Sequence, residues 1–301
     1  MLRFVLLNVA CLAVFTLSID FFTLNSVLAK QNQLSKIKES PQISIKPAVQ
    51  FSQIPILGFH DIVNKNNSRQ NPPLRRSFDT DYDKDKLVEV LTYLIQKDYW
   101  FLTSDEFFHY FYLKDRLIPV EKNSQRPIML TFDDGYEGLY SNLLPLLESL
   151  NNKYQKQVKV VLFINPALMG IEDGDLKYTN CNQLKEGLEK GFFDIQSHAL
   201  THRNLTKIKV AELPFELGKS KFILRQCLKN KKVATQIAYP YGSQNEKILE
   251  YVTLYYETAY LYNNKFFEIS NKKNNRYLIP RLITSRDKTV KDLINIIERA
   301  E

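Results

Sequence analysis

The chain has 301 residues, 44% of them apolar, 25% charged and 12% aromatic, a composition that excludes a disordered tail or a stapled miniprotein and allows one large buried core. Nine Gly and 12 Pro exclude collagen-like and low-complexity architectures. The net charge of +8 is carried wholly beyond residue 29, since the first 29 residues hold one Arg (Arg3) and one Asp (Asp20), and it reads as solubility or as attraction to an anionic envelope surface or nucleic acid.

Residues 1–29 open with Arg3, continue as an apolar run from Phe4 to Ile19 and end in small residues near Ala29. This is the layout of a signal peptide. The run falls short of the ~20 residues that span a bilayer, so cleavage is favoured over an uncleaved membrane anchor, and peripheral or N-terminal membrane association stays open. Residues 30–50, rich in Lys, Gln, Ser and Pro, read as a linker, and residues 51–301 as a single folded domain.

Within that domain strands and helices alternate. Strand candidates are Ile54–Phe59, Trp100–Thr103, Ile128–Phe132, Val158–Ile164, Phe193–Ser197, Val233–Tyr239 and Glu257–Tyr262, with a late one carrying Arg281. Helical spacing runs through Lys84–Gln96, around 138–152, 182–190, 209–229 and 244–256, and from about Lys288; Ser104 is the expected N-cap of a further helix. The alternation predicts an α/β fold, a parallel sheet with helices outside whose count suits a barrel of seven or eight units, with an open doubly wound sheet as the alternative. Chemistry is then expected where strands end.

Three segments at such ends stand out. Thr131-Phe132-Asp133-Asp134-Gly135-Tyr136 places two adjacent carboxylates that point in different directions, so that one can bind a cation while the other faces a substrate. Ser197-His198-Ala199-Leu200-Thr201-His202 holds two of the four histidines, four apart, a spacing that converges on a metal if the segment turns helically. Ala238-Tyr239-Pro240-Tyr241-Gly242 is a strand-ending turn able to present a backbone N–H to an oxyanion. Of the remaining histidines, His60 ends a strand before Asp61, whereas His109 sits among aromatics where packing explains it better. Cys181 and Cys227 can form one bridge or remain two thiols.

In this order the three segments resemble the polysaccharide deacetylases of carbohydrate esterase family four, and the likeness runs from about Ile54 to Leu282. The resemblance implies a distorted (β/α) barrel in which Asp134, His198 and His202 hold a divalent metal ion, Zn²⁺ first with Co²⁺ or Ni²⁺ as alternatives. It makes Asp133 the general base and Tyr241 N–H an oxyanion donor. Two positions depart from the family pattern: Ala199 stands where Ser or Thr is preferred, and Ala238 where an Arg orients the base. No His follows His202, so the usual C-terminal acid is missing; the arrangement looks like that of the permuted poly-N-acetylglucosamine deacetylases, with His60 as general acid and Arg281 in place of the absent Arg.

The expected activity is removal of N-acetyl groups from an exported N-acetylhexosamine polymer, in the periplasm, at the cell surface or secreted. A degenerate glycan-binding relative, an O-acetyl sugar esterase and a non-haem iron oxygenase are the competing readings. Nucleic acid is not an expected partner, because no recognisable module accompanies the charge.

Overall fold

The computed structural model describes residues 51–70 and 74–300, so the leader and the linker lie outside the described residues. Seven parallel strands close on themselves: β1 (Ile56–Phe59), β2 (Pro127–Phe132), β3 (Val160–Ile164), β4 (Phe193–Ser197), β5 (Gln236–Ala238), β6 (Thr258–Tyr262) and β7 (Ile279–Ile283). Each strand pairs with its successor and β7 pairs with β1, which in turn pairs with β2, so the ring runs in chain order. The open-sheet alternative is thereby excluded. A two-residue strand, Trp100–Phe101, extends the sheet at the start of β2.

The strands read as continuous apolar runs because both faces are covered. All six residues of β2 and all five of β3 are buried, with the barrel interior on one side and helices on the other. The helices are α1 (Lys84–Gln96), α2 (Leu144–Tyr154), α3 (Cys181–Glu189), α4 (Ser220–Leu228), α5 (Glu246–Tyr255) and α6 (Val290–Glu298). In α1, Leu87, Val90, Leu91 and Leu94 recur at helical spacing and are all buried, while the Asp83 side chain accepts from the Asp85 and Lys86 amides at the start. Asn180 and Gln183 start α3 with a capping box, and Thr289 and Asp292 do the same for α6.

Some boundaries differ from expectation. The cap of the helix after Trp100–Phe101 is Thr103 rather than Ser104, because Thr103 and Glu106 satisfy each other's backbone amides at 3.1 and 2.8 Å. The 209–229 stretch divides into a short turn at Val210–Glu212, a wide helical turn at Phe215–Lys219 and α4. Cys181, the first residue of α3, is disulfide-bonded to Cys227 in the last turn of α4. Among the described residues no helix is long and apolar enough to cross a membrane.

A candidate metal and acid–base site at the mouth of the barrel

The C-terminal ends of the strands meet at one rim. His60 follows β1, Asp133 and Asp134 follow β2, His198 follows β4, Tyr241 follows β5, and Tyr262 and Arg281 lie on β6 and β7. Asp134 Oδ1 lies 3.4 Å from His198 Nε2 and 3.2 Å from His202 Nε2. Their ligand atoms all fall within 4.8 Å of one another.

The two histidines do not converge through a helical turn. The 198–202 segment is a loop bent by left-handed backbone at Ala199 (φ 60°) and His202 (φ 59°). Asp134 (φ 72°) and Tyr241 (φ 60°) adopt the same region, so four non-glycine residues of this rim are strained at once. The loop is clamped from below by Glu216, a buried carboxylate that accepts from Leu200 N and Thr201 N at 3.1 Å each and from Thr201 Oγ1 at 2.6 Å. Asn165, at the end of β3, donates to the His198 carbonyl and, at 3.3 Å, to that of Ala199.

His198 Nδ1 donates to the Ala238 carbonyl at 2.9 Å, which leaves the Nε2 lone pair facing Asp134. Burial pushes its pKa down to about 3, keeping the ring neutral. Burial likewise lowers His202 and pushes Asp134 up to about 6. Asp134 Oδ1 is buried and accepts no hydrogen bond among the described residues. Three lone-pair donors therefore face one another with no proton assigned between them, a set that fits a divalent cation of borderline softness.

Asp133 is fully buried beside this cluster, its Oδ2 3.9 Å from His198 Nε2. Arg281, itself 0% exposed, grips it bidentately, Nη1 to Oδ1 at 2.7 Å and Nη2 to Oδ2 at 2.8 Å. Burial alone favours the neutral acid, but Arg281, helped by His198 and His60, holds the Asp133 carboxyl well below the usual carboxylate range. Arg281 thus reaches Asp133 from β7, whereas Ala238 on β5 offers no guanidinium. Tyr262 donates to Asp133 Oδ2 at 2.9 Å. Its own pKa is raised well above the ordinary phenol value, chiefly by burial, so the hydroxyl stays a donor.

His60 is half-buried at the same mouth, its ring stacked 5.9 Å from that of Tyr262, and its Nδ1 has no hydrogen-bond partner among the described residues. The following Asp61 is anchored by Arg75 at 2.8 Å, which also grips Asp81. Tyr241 is 65% exposed, its ring 4.7 Å from that of His202. His109 lies at the opposite end of the barrel. It is held less by aromatic packing than by acids, with Nδ1 2.9 Å from Asp115 and Nε2 3.4 Å from Asp105. Glu216, Tyr262 and Asn165 escape sequence reading: none belongs to a motif, and each meets its partners only in the folded chain.

Residues 120–257 match the polysaccharide deacetylase family. The poly-β-1,6-N-acetyl-D-glucosamine N-deacetylase of Staphylococcus aureus (strain MRSA252) is 29% identical over 208 residues, 65% of this chain and 65% of the relative; the chain thus spans about two thirds of the length of that curated relative. Among solved structures, a polysaccharide deacetylase from Bacillus cereus superposes with a TM-score of 0.66 at 20% identity, covering 82% of this chain and 69% of that one. The Streptococcus pyogenes deacetylase PplD, solved in complex with acetate, superposes with a TM-score of 0.67 at 20% identity, covering 82% and 99%. Motifs, barrel and matched segment agree: over residues 120–257 the chain is similar to the polysaccharide deacetylases, and it shares their fold.

Proposed function

We propose that this chain is a metal-dependent N-deacetylase acting outside the cytoplasm on an N-acetylhexosamine polymer such as poly-N-acetylglucosamine, chitin oligomers or peptidoglycan. The observation that carries the proposal is the meeting of Asp134, His198 and His202 beside a separate, Arg-paired Asp133. The match of residues 120–257 to the polysaccharide deacetylases and the name of the staphylococcal relative support the substrate class. The leader-like residues 1–29 support export.

Hydrolysis of an acetamide needs an activated water, a stabilised oxyanion and a proton for the departing nitrogen. A divalent cation at Asp134, His198 and His202, Zn²⁺ first and Co²⁺ or Ni²⁺ otherwise, would supply Lewis acidity and lower the pKa of water. Asp133 accepts the proton of the attacking water as its oxygen bonds to the acetyl carbon. Its persistent ionisation keeps it ready to do so at any physiological pH. The Tyr241 backbone N–H, set by its left-handed φ, bears part of the oxyanion charge. His60 delivers a proton to nitrogen as the C–N bond breaks, leaving acetate and a free amine.

Acetate release from N-acetylglucosamine oligomers tests the reading. The purified protein is expected to be active with Zn²⁺ or Co²⁺, silent after chelation, and slowed by about 10²-fold or more in Asp133→Asn. Release from O-acetyl sugars alone, with N-acetyl oligomers untouched, would replace the amide by an ester as substrate.

A further inference from the structure

Tyr262 lies outside the three motif segments and takes no part in the steps above. Its hydroxyl donates to Asp133 Oδ2 at 2.9 Å. Its ring packs 4.0 Å from the Arg281 guanidinium carbon and stacks 5.9 Å from the His60 imidazole at an interplanar angle of 22°. One side chain thus touches the carboxylate, the arginine that fixes it and the histidine across the mouth.

The fold makes room for this. Tyr262 and Arg281 are register partners on β6 and β7, and Ile283 pairs with Gly58 on β1. The Tyr262 ring therefore reaches across β7 and lies against the Gly58 backbone. A Cβ at Gly58 would stand 2.7 Å from Tyr262 Cζ and closer still to Cε1 and Oη, so only glycine leaves the ring where it is. The other neighbours of Asp133 explain why a third donor matters. A bidentate guanidinium sets the carboxylate plane but tolerates rocking about the Arg–Asp axis, and the Tyr262 hydroxyl, arriving from a different strand, removes that freedom at Oδ2.

We propose that Tyr262 is a positioning residue that holds the base and the acid of this site in register: its hydroxyl fixes Asp133 and its ring face seats His60. This rests on the deacetylase reading of the site. Asp134, His198 and His202 form no hydrogen bond with Tyr262 among the described residues, so the metal-binding set is not part of the device.

The experiment compares wild type, Tyr262→Phe, Tyr262→Leu and Gly58→Ala for acetate release and for Zn²⁺ affinity by calorimetry. Tyr262→Phe is expected to lower kcat by about 10- to 100-fold, the worth of one hydrogen bond to a charged group, with KM and Zn²⁺ affinity within about twofold of wild type. Tyr262→Leu, which also removes the seat of His60, should lower kcat further, and Gly58→Ala should reproduce the Phe defect by displacing the ring. In an Asp133→Asn background the Tyr262→Phe change should cost nothing more.

An unchanged kcat in Tyr262→Phe overturns the proposal. So does a loss spread equally over KM, Zn²⁺ affinity and stability, which is what a structural role would give. If wild type itself releases no acetate from any acetylated sugar, the deacetylase reading fails, and crystal structures of wild type and Tyr262→Phe decide the positioning claim alone. A rotated Asp133 carboxylate or displaced His60 ring in the variant supports it, and superposable side chains overturn it.

Discussion

Glu216→Ala removes the clamp under the loop that carries both histidines. Glu216 is 2% exposed and accepts three hydrogen bonds from Leu200 and Thr201, two of the three residues between the two imidazoles. Each hydrogen bond to a charged acceptor is worth roughly 1.5–3 kcal/mol. Against this stand two left-handed residues, Ala199 and His202, at about 1–2 kcal/mol each. The clamp wins while intact; without it the strained loop has too little to hold it and relaxes toward solvated conformations in which His202 no longer faces Asp134. The expected result is a 10- to 100-fold loss in Zn²⁺ affinity, the usual consequence of removing a group that orients metal ligands. Unfolding free energy should fall by about 2–4 kcal/mol. Glu216→Gln, which keeps an acceptor for the amides, should fall between. Calorimetric titration with Zn²⁺ at neutral pH and urea unfolding read both quantities. An alanine variant that binds Zn²⁺ within twofold of wild type would show that the loop holds its own shape and that the clamp argument is wrong.

Arg281→Met strands a fully buried carboxylate, so stability should drop by about 3–5 kcal/mol and acetate release by at least about 10²-fold, with Arg281→Lys only partly restoring either because a lysine cannot grip both oxygens; wild-type turnover in the methionine variant would remove Arg281 from the site. Metal affinity should depend on pH in one direction. Asp134 stands at about 6 without a cation and must lose its proton to bind one, whereas His198, at about 3, is already neutral, so affinity should fall about tenfold per pH unit below pH 6 and level off above pH 7. Calorimetry in buffers of different ionisation enthalpy counts that proton; an affinity still climbing steeply at pH 8 would contradict the assignment. Reduction of Cys181–Cys227, or Ser at both, opens a 46-residue span and should cost up to about 4 kcal/mol in urea unfolding, an unchanged midpoint with both thiols titratable being the contrary result.

Much of the barrel was legible because parallel strands covered on both faces leave uninterrupted apolar runs such as Val160–Ile164, and helices such as Lys84–Gln96 keep one apolar stripe. The ends of those runs then located the carboxylate pair, the histidine pair and His60. Arg281 was placed opposite Asp133 only through the resemblance, since nothing local to Leu278–Leu282 reveals a partner 148 residues away. What stayed hidden depends on closure. Tyr262 looks like any strand tyrosine until β6, β7 and β1 lie side by side, and Glu216 looks like a surface acid between Phe215 and Leu217 until the histidine loop descends onto it. The route by which 198 and 202 converge stayed hidden for a related reason: periodicity describes regular backbone, and this loop relies on irregular bends that only its tertiary contacts sustain.

The ring of strands runs in the order of synthesis, and its last member delivers the guanidinium that neutralises Asp133. A chain that stops after β6 would leave that carboxyl without its cation in a nearly finished interior, where it would take up a proton. Ionisation at residue 133 thereby reports closure of the ring: a product lacking Arg281 would lose the charge at the mouth together with its final strand.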